Sequence, residues 1–354
     1  MKTVVSDQGA ILRLFDGGRR AIMVKVLVAE RVRADLWAAM IDLVKDLPVH
    51  LTCVGSGEVM ELINKVANVD VLITFRRQIG ESVLRAGKRL RLVQCGRSTP
   101  DLVDVHVARG LGVDVAVVRN VGAISVAEHA MALILGLAKK LIAFDSAIRR
   151  GENPRGLVPV HTTQDVYAYN WLGDEGVICL DGRVLGIVGL GEIGKALVRL
   201  ASGFGMEIVY YKRHRLSEEE EMKLGVRYAK LDDLVSVADF IVLTVPLTPE
   251  TEGMIGEAEL GKMKNSAFLI NVSRGAVVDE EALINALRRG RIAGAGLDVF
   301  RVEPLLGSPL MSLPNVILTP HSGAAGLSLR RAAEVLENVR RLARGEPLVG
   351  LVTQ

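Results

Sequence analysis

Cysteine is scarce in this chain. Only Cys53, Cys95 and Cys179 occur among 354 residues, far apart, odd in number and without a CxxC spacing. That excludes a disulfide scaffold and fits a reducing, cytoplasmic compartment. No apolar run reaches the length a bilayer span needs, and the opening MKTVVSDQGAILRLFDGGRR lacks the charged-then-apolar order of a secretory signal. An excess of one charge is missing too. A formal net charge of +3 gives no case for nucleic acid or an anionic membrane as a main partner. His50, His106, His129, His161 and His214 show no ligand spacing with Asp, Glu or Cys, so zinc chemistry is not indicated.

What is present is globular composition, 49% hydrophobic and 24% charged, at a length that calls for two domains. Val184–Gly194 (VLGIVGLGEIG) organises the rest. A short apolar run reads as a buried strand, followed by GxGxxG and a helical stretch, Lys195–Phe204. Gly189 permits the tight turn, Gly191 lets backbone approach a pyrophosphate, and Gly194 lets helix pack close on strand. With Glu192 and Ile193 these glycines are the expected phosphate contacts, because the following helix offers free N–H groups and the positive end of its dipole.

Upstream, apolar runs at Met23–Glu30, Val49–Val54, Val69–Thr74, Leu90–Cys95 and Val113–Val118 alternate with helical patterns at Ala34–Leu47, Val59–Val66 and Ser82–Lys88. That alternation argues for βα units on a parallel sheet. A long helix is expected over Ser125–Arg150, with Ser125 and Glu128 forming a capping box. From Gly156 to Asp181 periodicity is lost, and Tyr167, Tyr169 and Trp171 cluster. This segment reads either as a surface loop with a partner, such as a second subunit, or as a long connection on its own domain.

Alternation then resumes with strands at Glu207–Tyr211, Phe240–Val245, Phe268–Val272, Ala293–Val299 and Val316–Thr319. Helices fall between them at Glu218–Leu224, Leu231–Val237 and Glu280–Arg289, and Leu327–Arg344 closes the chain. The glycine unit is central, and the last helix has no sheet of its own. The expectation is therefore α/β, with two doubly wound parallel-sheet domains and a cleft between them. Residues 23–118 with 321–354 form a flavodoxin-like substrate domain, 119–320 a Rossmann dinucleotide domain, and 1–22 an extension.

Three side chains carry chemistry at strand ends. Arg274 follows Phe268–Val272, where a planar guanidinium suits a substrate carboxylate. His321 follows Val316–Thr319 and a proline, and imidazole titrates near working pH as proton exchange during hydride transfer requires. Glu303, in the loop after Leu297–Phe300, would orient that ring and favour its protonated form.

Four stretches in order carry a resemblance: Gly189–Gly194, Asn271–Asp279 (NVSRGAVVD), Gly296–Pro304 (GLDVFRVEP) and Thr319–Gly323 (TPHSG). With CGRSTPDLVDV and SVAEHAMALIL in the first half, the chain from about Met23 resembles the D-isomer-specific 2-hydroxyacid dehydrogenases. The resemblance implies that Arg274 binds the carboxylate and polarises the carbonyl, that His321 is the acid/base beside the cofactor, and that Glu303 supports it. It also implies that Asp298 bonds the nicotinamide amide, that Pro246 and Val272 line the cofactor, and that two copies join through the dinucleotide domains. Arg97-Ser98-Thr99 takes the place of a substrate loop that is normally glycine-rich, which is a departure. Arg76 and Arg77, after another strand end, could reach an anionic substrate or simply be solvated.

Some twenty residues past the glycines an NAD enzyme carries an acid for the ribose hydroxyl. Here stand Lys212-Arg213-His214-Arg215, three cations of which could each donate to a 2′-phosphate. NADP(H) is the expected preference, with NAD(H) the other possibility. The basic loop resembles that of glyoxylate reductases. The expected function is thus reduction of a small 2-keto acid of the glyoxylate or hydroxypyruvate type. The alternatives are a phosphoglycerate dehydrogenase-like NAD enzyme and a non-enzymatic NAD(P) sensor on the same fold.

Overall fold

The computed structural model describes residues 3–5, 11–13, 23–55, 58–118, 122–324 and 328–352. Two compact units divide the chain: Met1–Val121 with Gly326–Gln354, and Gly122–Ala325. Among the described residues, no helix is long and apolar enough to cross a membrane.

In the first unit β1 (Thr3–Val5) and β2 (Ile11–Arg13) pair antiparallel. The rest of residues 1–22, expected as an extension, lies outside the described residues. Then come β3 (Val24–Val28), α1 (Ala34–Val44), β4 (Val49–Cys53), α2 (Val59–Val66), β5 (Val71–Thr74), α3 (Glu81–Ala86), β6 (Leu92–Cys95), α4 (Val105–Gly110) and β7 (Asp114–Val117). The parallel sheet runs β4-β3-β5-β6-β7, the doubly wound order of flavodoxin. Every residue of β5 and β6 is buried, as apolar runs covered on both faces must be.

The second unit opens with α5 (Ala123–Ala138) and α6 (Leu141–Arg149), then has no regular element until β8 (Val184–Val188). It continues with α7 (Glu192–Ser202), β9 (Glu207–Tyr211), α8 (Glu218–Leu224), β10 (Arg227–Tyr228), α9 (Leu231–Val237), β11 (Phe240–Leu243) and α10 (Glu257–Lys262). The unit ends with β12 (Phe268–Asn271), α11 (Glu280–Arg288), β13 (Gly294–Leu297) and β14 (Val316–Leu318). All seven strands are parallel in the order β10-β9-β8-β11-β12-β13-β14. The winding reverses between β8 and β11, and a sheet of this order binds a dinucleotide at the carboxyl ends beside that reversal. Finally α12 (Ser328–Val335) and α13 (Glu337–Arg344) return to the first unit. There Ala332, Val335, Leu336 and Val339 are buried among Val24, Val26, Val71 and Ile73.

Four expectations need correction. The helix expected over Ser125–Arg150 is two helices, because Lys140 turns left-handed (φ 52°). Its ammonium meets both oxygens of Asp174 at 2.6 Å, and Lys139 Nζ donates to the Ile178 carbonyl at 2.8 Å, so the long connection breaks the helix. The Ser125 capping box is absent: Gly122 is the N-cap, and Ser125 Oγ donates to the Gly323 carbonyl (2.8 Å). Lastly, the unit boundary falls at Ala325/Gly326 and not at 320/321. The backbone N–H groups of His321, Ser322 and Gly323 all donate to Asp298, which ties that segment to β13. The closing helix expected from Leu327 is two helices meeting at Leu336, and Leu327 itself lies outside the described residues.

Candidate active site

Between β8 and α7, Gly189 takes φ 101°, and a Cβ there would sit 2.7 Å from Val245 Cγ1. A Cβ at Gly194 would lie 2.7 Å from the Gly189 carbonyl, so the helix start presses directly on the turn. The space over Gly191 is open for 4 Å, and α7 begins at Glu192 with no side chain capping its first N–H groups. A pyrophosphate fits this cradle.

At the end of β12, buried Asn271 shapes the turn that carries Arg274. Its Oδ1 accepts from Ser273 N (3.0 Å) and Ser273 Oγ (2.7 Å), and its Nδ2 donates to the Arg274 carbonyl (3.0 Å). Arg274 is left exposed, with Nη1 donating to the Ser273 carbonyl at 2.7 Å. A Cβ at Gly275 would land on the Phe300 carbonyl, so only glycine lets the Arg274 turn touch the backbone of the Glu303 loop.

That loop bends back on itself, and Phe300 N donates to Glu303 Oε1 at 3.1 Å. The other oxygen, Glu303 Oε2, lies 2.8 Å from His321 Nδ1. Burial pushes the Glu303 carboxyl up. The His321 and Phe300 hydrogen bonds and the charges of His321 and Arg274 outweigh it and hold the group below its usual range. An ionised carboxylate only accepts, so His321 Nδ1 carries the hydrogen and Nε2 is the nitrogen left to exchange a proton. Arg274, Glu303 and His321 are thereby brought together by three neighbouring strand ends.

The chain from 131 to 323 matches the family model described as "D-isomer specific 2-hydroxyacid dehydrogenase, NAD binding domain". A glyoxylate reductase of Pyrococcus furiosus is 42% identical over 290 residues, 81% of this chain and 83% of that one. One from Thermococcus gammatolerans is 43% identical over 288 residues, 80% of this chain and 83% of that protein. Among solved structures, a glyoxylate reductase from Paecilomyes thermophila superposes with a TM-score of 0.71 at 27% identity, covering 93% of this chain and 98% of that one.

The chain belongs to the D-isomer-specific 2-hydroxyacid dehydrogenase family.

It is accordingly an NAD(P)-dependent dehydrogenase with a Rossmann domain. For this dehydrogenase the remaining expected residues are placed as follows. Asp298, buried at the end of β13, accepts from Thr319 Oγ1 (2.6 Å), Ser322 N (2.8 Å) and Gly323 N (2.9 Å). Burial raises its pKa, but these bonds and the nearby His129 ring lower it further, so the group stays ionised. Its carboxylate thus holds the His321 loop. Val272 is buried beyond β12, and Pro246 is exposed beyond β11.

The basic loop after β9 needs correction. Arg215 is not free for a phosphate, since Nε and Nη2 each meet Glu221 at 2.8 Å and the guanidinium lies over the Tyr228 ring. Lys212 and Arg213 make no ion pair among the described residues. In the first unit, Asp101 engages Thr99 Oγ1 (2.7 Å) and Arg97 Nη1 (3.3 Å) within their own loop, in which Ser98 lies between the two. Arg77 Nη1 donates to the Ala29 carbonyl (2.8 Å), and Arg76 is exposed. Sequence reasoning missed Asn271, Thr319 and His129 as structural partners of the site. The only signal for His129 was its spacing, four residues after Ser125 on one helical face.

Proposed function

We propose that this dehydrogenase reduces a small 2-keto acid of the glyoxylate or hydroxypyruvate type to a D-2-hydroxy acid, with NADPH as its preferred cofactor. The observation that carries the reading is the 2.8 Å bond from His321 Nδ1 to Glu303, with the charge of Arg274 acting on the same carboxylate. Relatives named glyoxylate reductase, about two-fifths identical over most of the chain, support the substrate class.

When bound, the nicotinamide supplies the hydride. Arg274 holds the substrate carboxylate with paired N–H donors and draws electron density from the adjoining carbonyl. His321, protonated on both nitrogens, donates to the keto oxygen from Nε2 and passes that proton over as the carbon receives hydride. Glu303 stabilises the imidazolium before transfer and keeps the neutral ring in the Nδ1–H form afterwards. The open cradle at Gly191 receives the pyrophosphate, and Lys212 and Arg213 supply donors for a 2′-phosphate. The substrate roles of Arg97, Ser98 and Thr99, and the cofactor roles of Pro246, Val272 and Asp298, belong to this proposal.

The same reading makes the working form a homodimer. Leu141 and Ile142 of α6 are 54% and 63% exposed, and Val158 and Tyr169 in the segment after it are both 78% exposed, an apolar surface suited to a second copy. Three free cysteines fit a cytoplasmic setting.

The test is a panel of 2-keto acids with NADPH and with NADH, run on wild type and His321→Ala. Turnover of glyoxylate or hydroxypyruvate is expected, together with a loss of about 10²–10⁴-fold in the variant at unchanged nucleotide affinity. Nucleotide binding with no turnover of any keto acid would instead favour a sensor.

A further inference from the structure

We propose that His129 is a positioning residue for His321, acting from α5 through Thr319 and Asp298. The inference rests on the acid/base reading of His321 given above.

His321 is one of only three non-glycine residues with a left-handed backbone among the described residues, at φ 52°. Such a conformation is uncommon outside glycine, though histidine takes it more readily than most, and it persists where its surroundings enforce it. Two hydrogen bonds hold its N–H, to the Asp298 carbonyl at 2.8 Å and to the Thr319 carbonyl at 3.0 Å. The flanking residues are held by the Asp298 side chain, which accepts from Thr319, Ser322 and Gly323. The loop carrying His321 is therefore wrapped around a single carboxylate.

Helix α5 closes this arrangement from the other side. Ser125 Oγ donates to the Gly323 carbonyl at 2.8 Å. One turn later on the same face, His129 Nε2 lies 2.9 Å from Thr319 Oγ1 and 3.2 Å from Asp298 Oδ1. The direction of these bonds follows from counting hydrogens. Ionised Asp298 can only accept, so the single hydroxyl hydrogen of Thr319 goes to it across 2.6 Å. Thr319 then has only lone pairs to offer His129, and His129 must donate from Nε2. An Nδ1–H tautomer would leave lone pair facing lone pair. The chain His129 Nε2–H to Thr319 to Asp298 is thus polarised in one direction and ends on the group that holds the His321 loop. Without it, Thr319 loses a donor and the left-handed turn loses its backing, while the glycine cradle and the basic loop after β9 are untouched.

The experiment compares His129→Ala and His129→Gln with wild type in glyoxylate reduction by NADPH, alongside nitrogen-15 NMR of the His129 ring in the wild-type protein. His129→Ala should lower kcat by tenfold or more, up to about 10²-fold, as misplaced acid/base groups do. KM for NADPH should stay within about twofold, since the lost interaction does not bind nucleotide. The Gln amide can donate to Thr319 in place of the ring, and that variant should recover most of the rate. The NMR should show His129 protonated at Nε2. The proposal is overturned if the Ala variant keeps wild-type kcat, if kcat and nucleotide affinity fall together, or if Gln is no better than Ala. A ring protonated only at Nδ1 overturns it whatever the turnover. Absence of keto-acid turnover in wild type would fail the functional reading instead, and the ring tautomer would still decide the role of His129.

Discussion

At Asp298 one buried carboxylate answers donors from Thr319, Ser322 and Gly323, and its own carbonyl answers His321. A group bonded in this way in the folded state titrates below the ordinary carboxylate range, so the native state holds fewer protons than the unfolded chain. The stability it contributes is present above the unfolded pKa of about 3.9 and is lost as pH falls through the lower folded value. Asp298→Asn sets an amide N–H₂ against one of the backbone donors. It should destabilise the second unit by about 1–3 kcal/mol near neutral pH and flatten the acid side of the stability curve. Denaturant unfolding at a series of pH values below about 6 would check both effects. Nothing in a single sequence announces such a hub. The order Gly-Leu-Asp-Val-Phe marks Asp298 as a strand-end aspartate, but the donors that bond its oxygens lie more than twenty residues away. The same holds for Ser125, whose spacing to Glu128 looks like a cap while its hydroxyl is drawn to Gly323.

Among the elements, those with a clean period were legible in the sequence. Val59–Val66, Glu207–Tyr211, Glu218–Leu224 and Leu231–Val237 fall where the pattern puts them. Of the three six-residue helices, α3 was expected as Ser82–Lys88 while α4 and α10 carried no expectation, since so short a run displays a 3.6 period only weakly. The break at Lys140 was invisible for another reason: Asp174, thirty-four residues on, captures its ammonium. The β9–α8 connection shows how local chemistry sorts cations that look alike in sequence. Tyr210 Oη donates to Glu221 (2.7 Å) and accepts from Leu216 N (2.9 Å), and Arg215 clasps the same carboxylate. The Arg215 and Tyr210 hydrogen bonds hold Glu221 down at about 2, against its burial, so the brace is ionic at every working pH. On the proposed reading, Lys212 and Arg213 are then the residues of this loop left to meet a 2′-phosphate. Lys212→Asp with Arg213→Ala should move the NADPH-to-NADH ratio of kcat/KM toward NADH by one to two powers of ten, about 1.4 kcal/mol each. An unchanged ratio would place 2′-phosphate recognition elsewhere.

For the molecule as a whole, the two sheets and the discontinuous course were readable, since parallel strands need apolar runs and a last helix without strands has to join a sheet made earlier. A dimer was expected only from the resemblance, because a subunit surface and a solvated loop share composition. With Leu141, Ile142, Val158 and Tyr169 exposed, the solution mass should be twice the 38.2 kDa of one chain. Light scattering after size exclusion would read this directly. A single-chain mass at micromolar concentration would reject the dimer.

The return of α12 and α13 bears on how the protein is made. Asn338, buried at the heart of the first unit, donates to Gln94 Oε1 at 2.8 Å and accepts from Val349 N at 2.9 Å, while Leu351 bridges to Ala116. On a ribosome the strands emitted first therefore wait, one face uncovered, through the synthesis of more than two hundred intervening residues. The unit translated second holds all of its own elements before the one translated first can close, so birth order and completion order are reversed. At about 5–20 residues per second that wait lasts tens of seconds, the interval in which a nascent-chain chaperone would find its client.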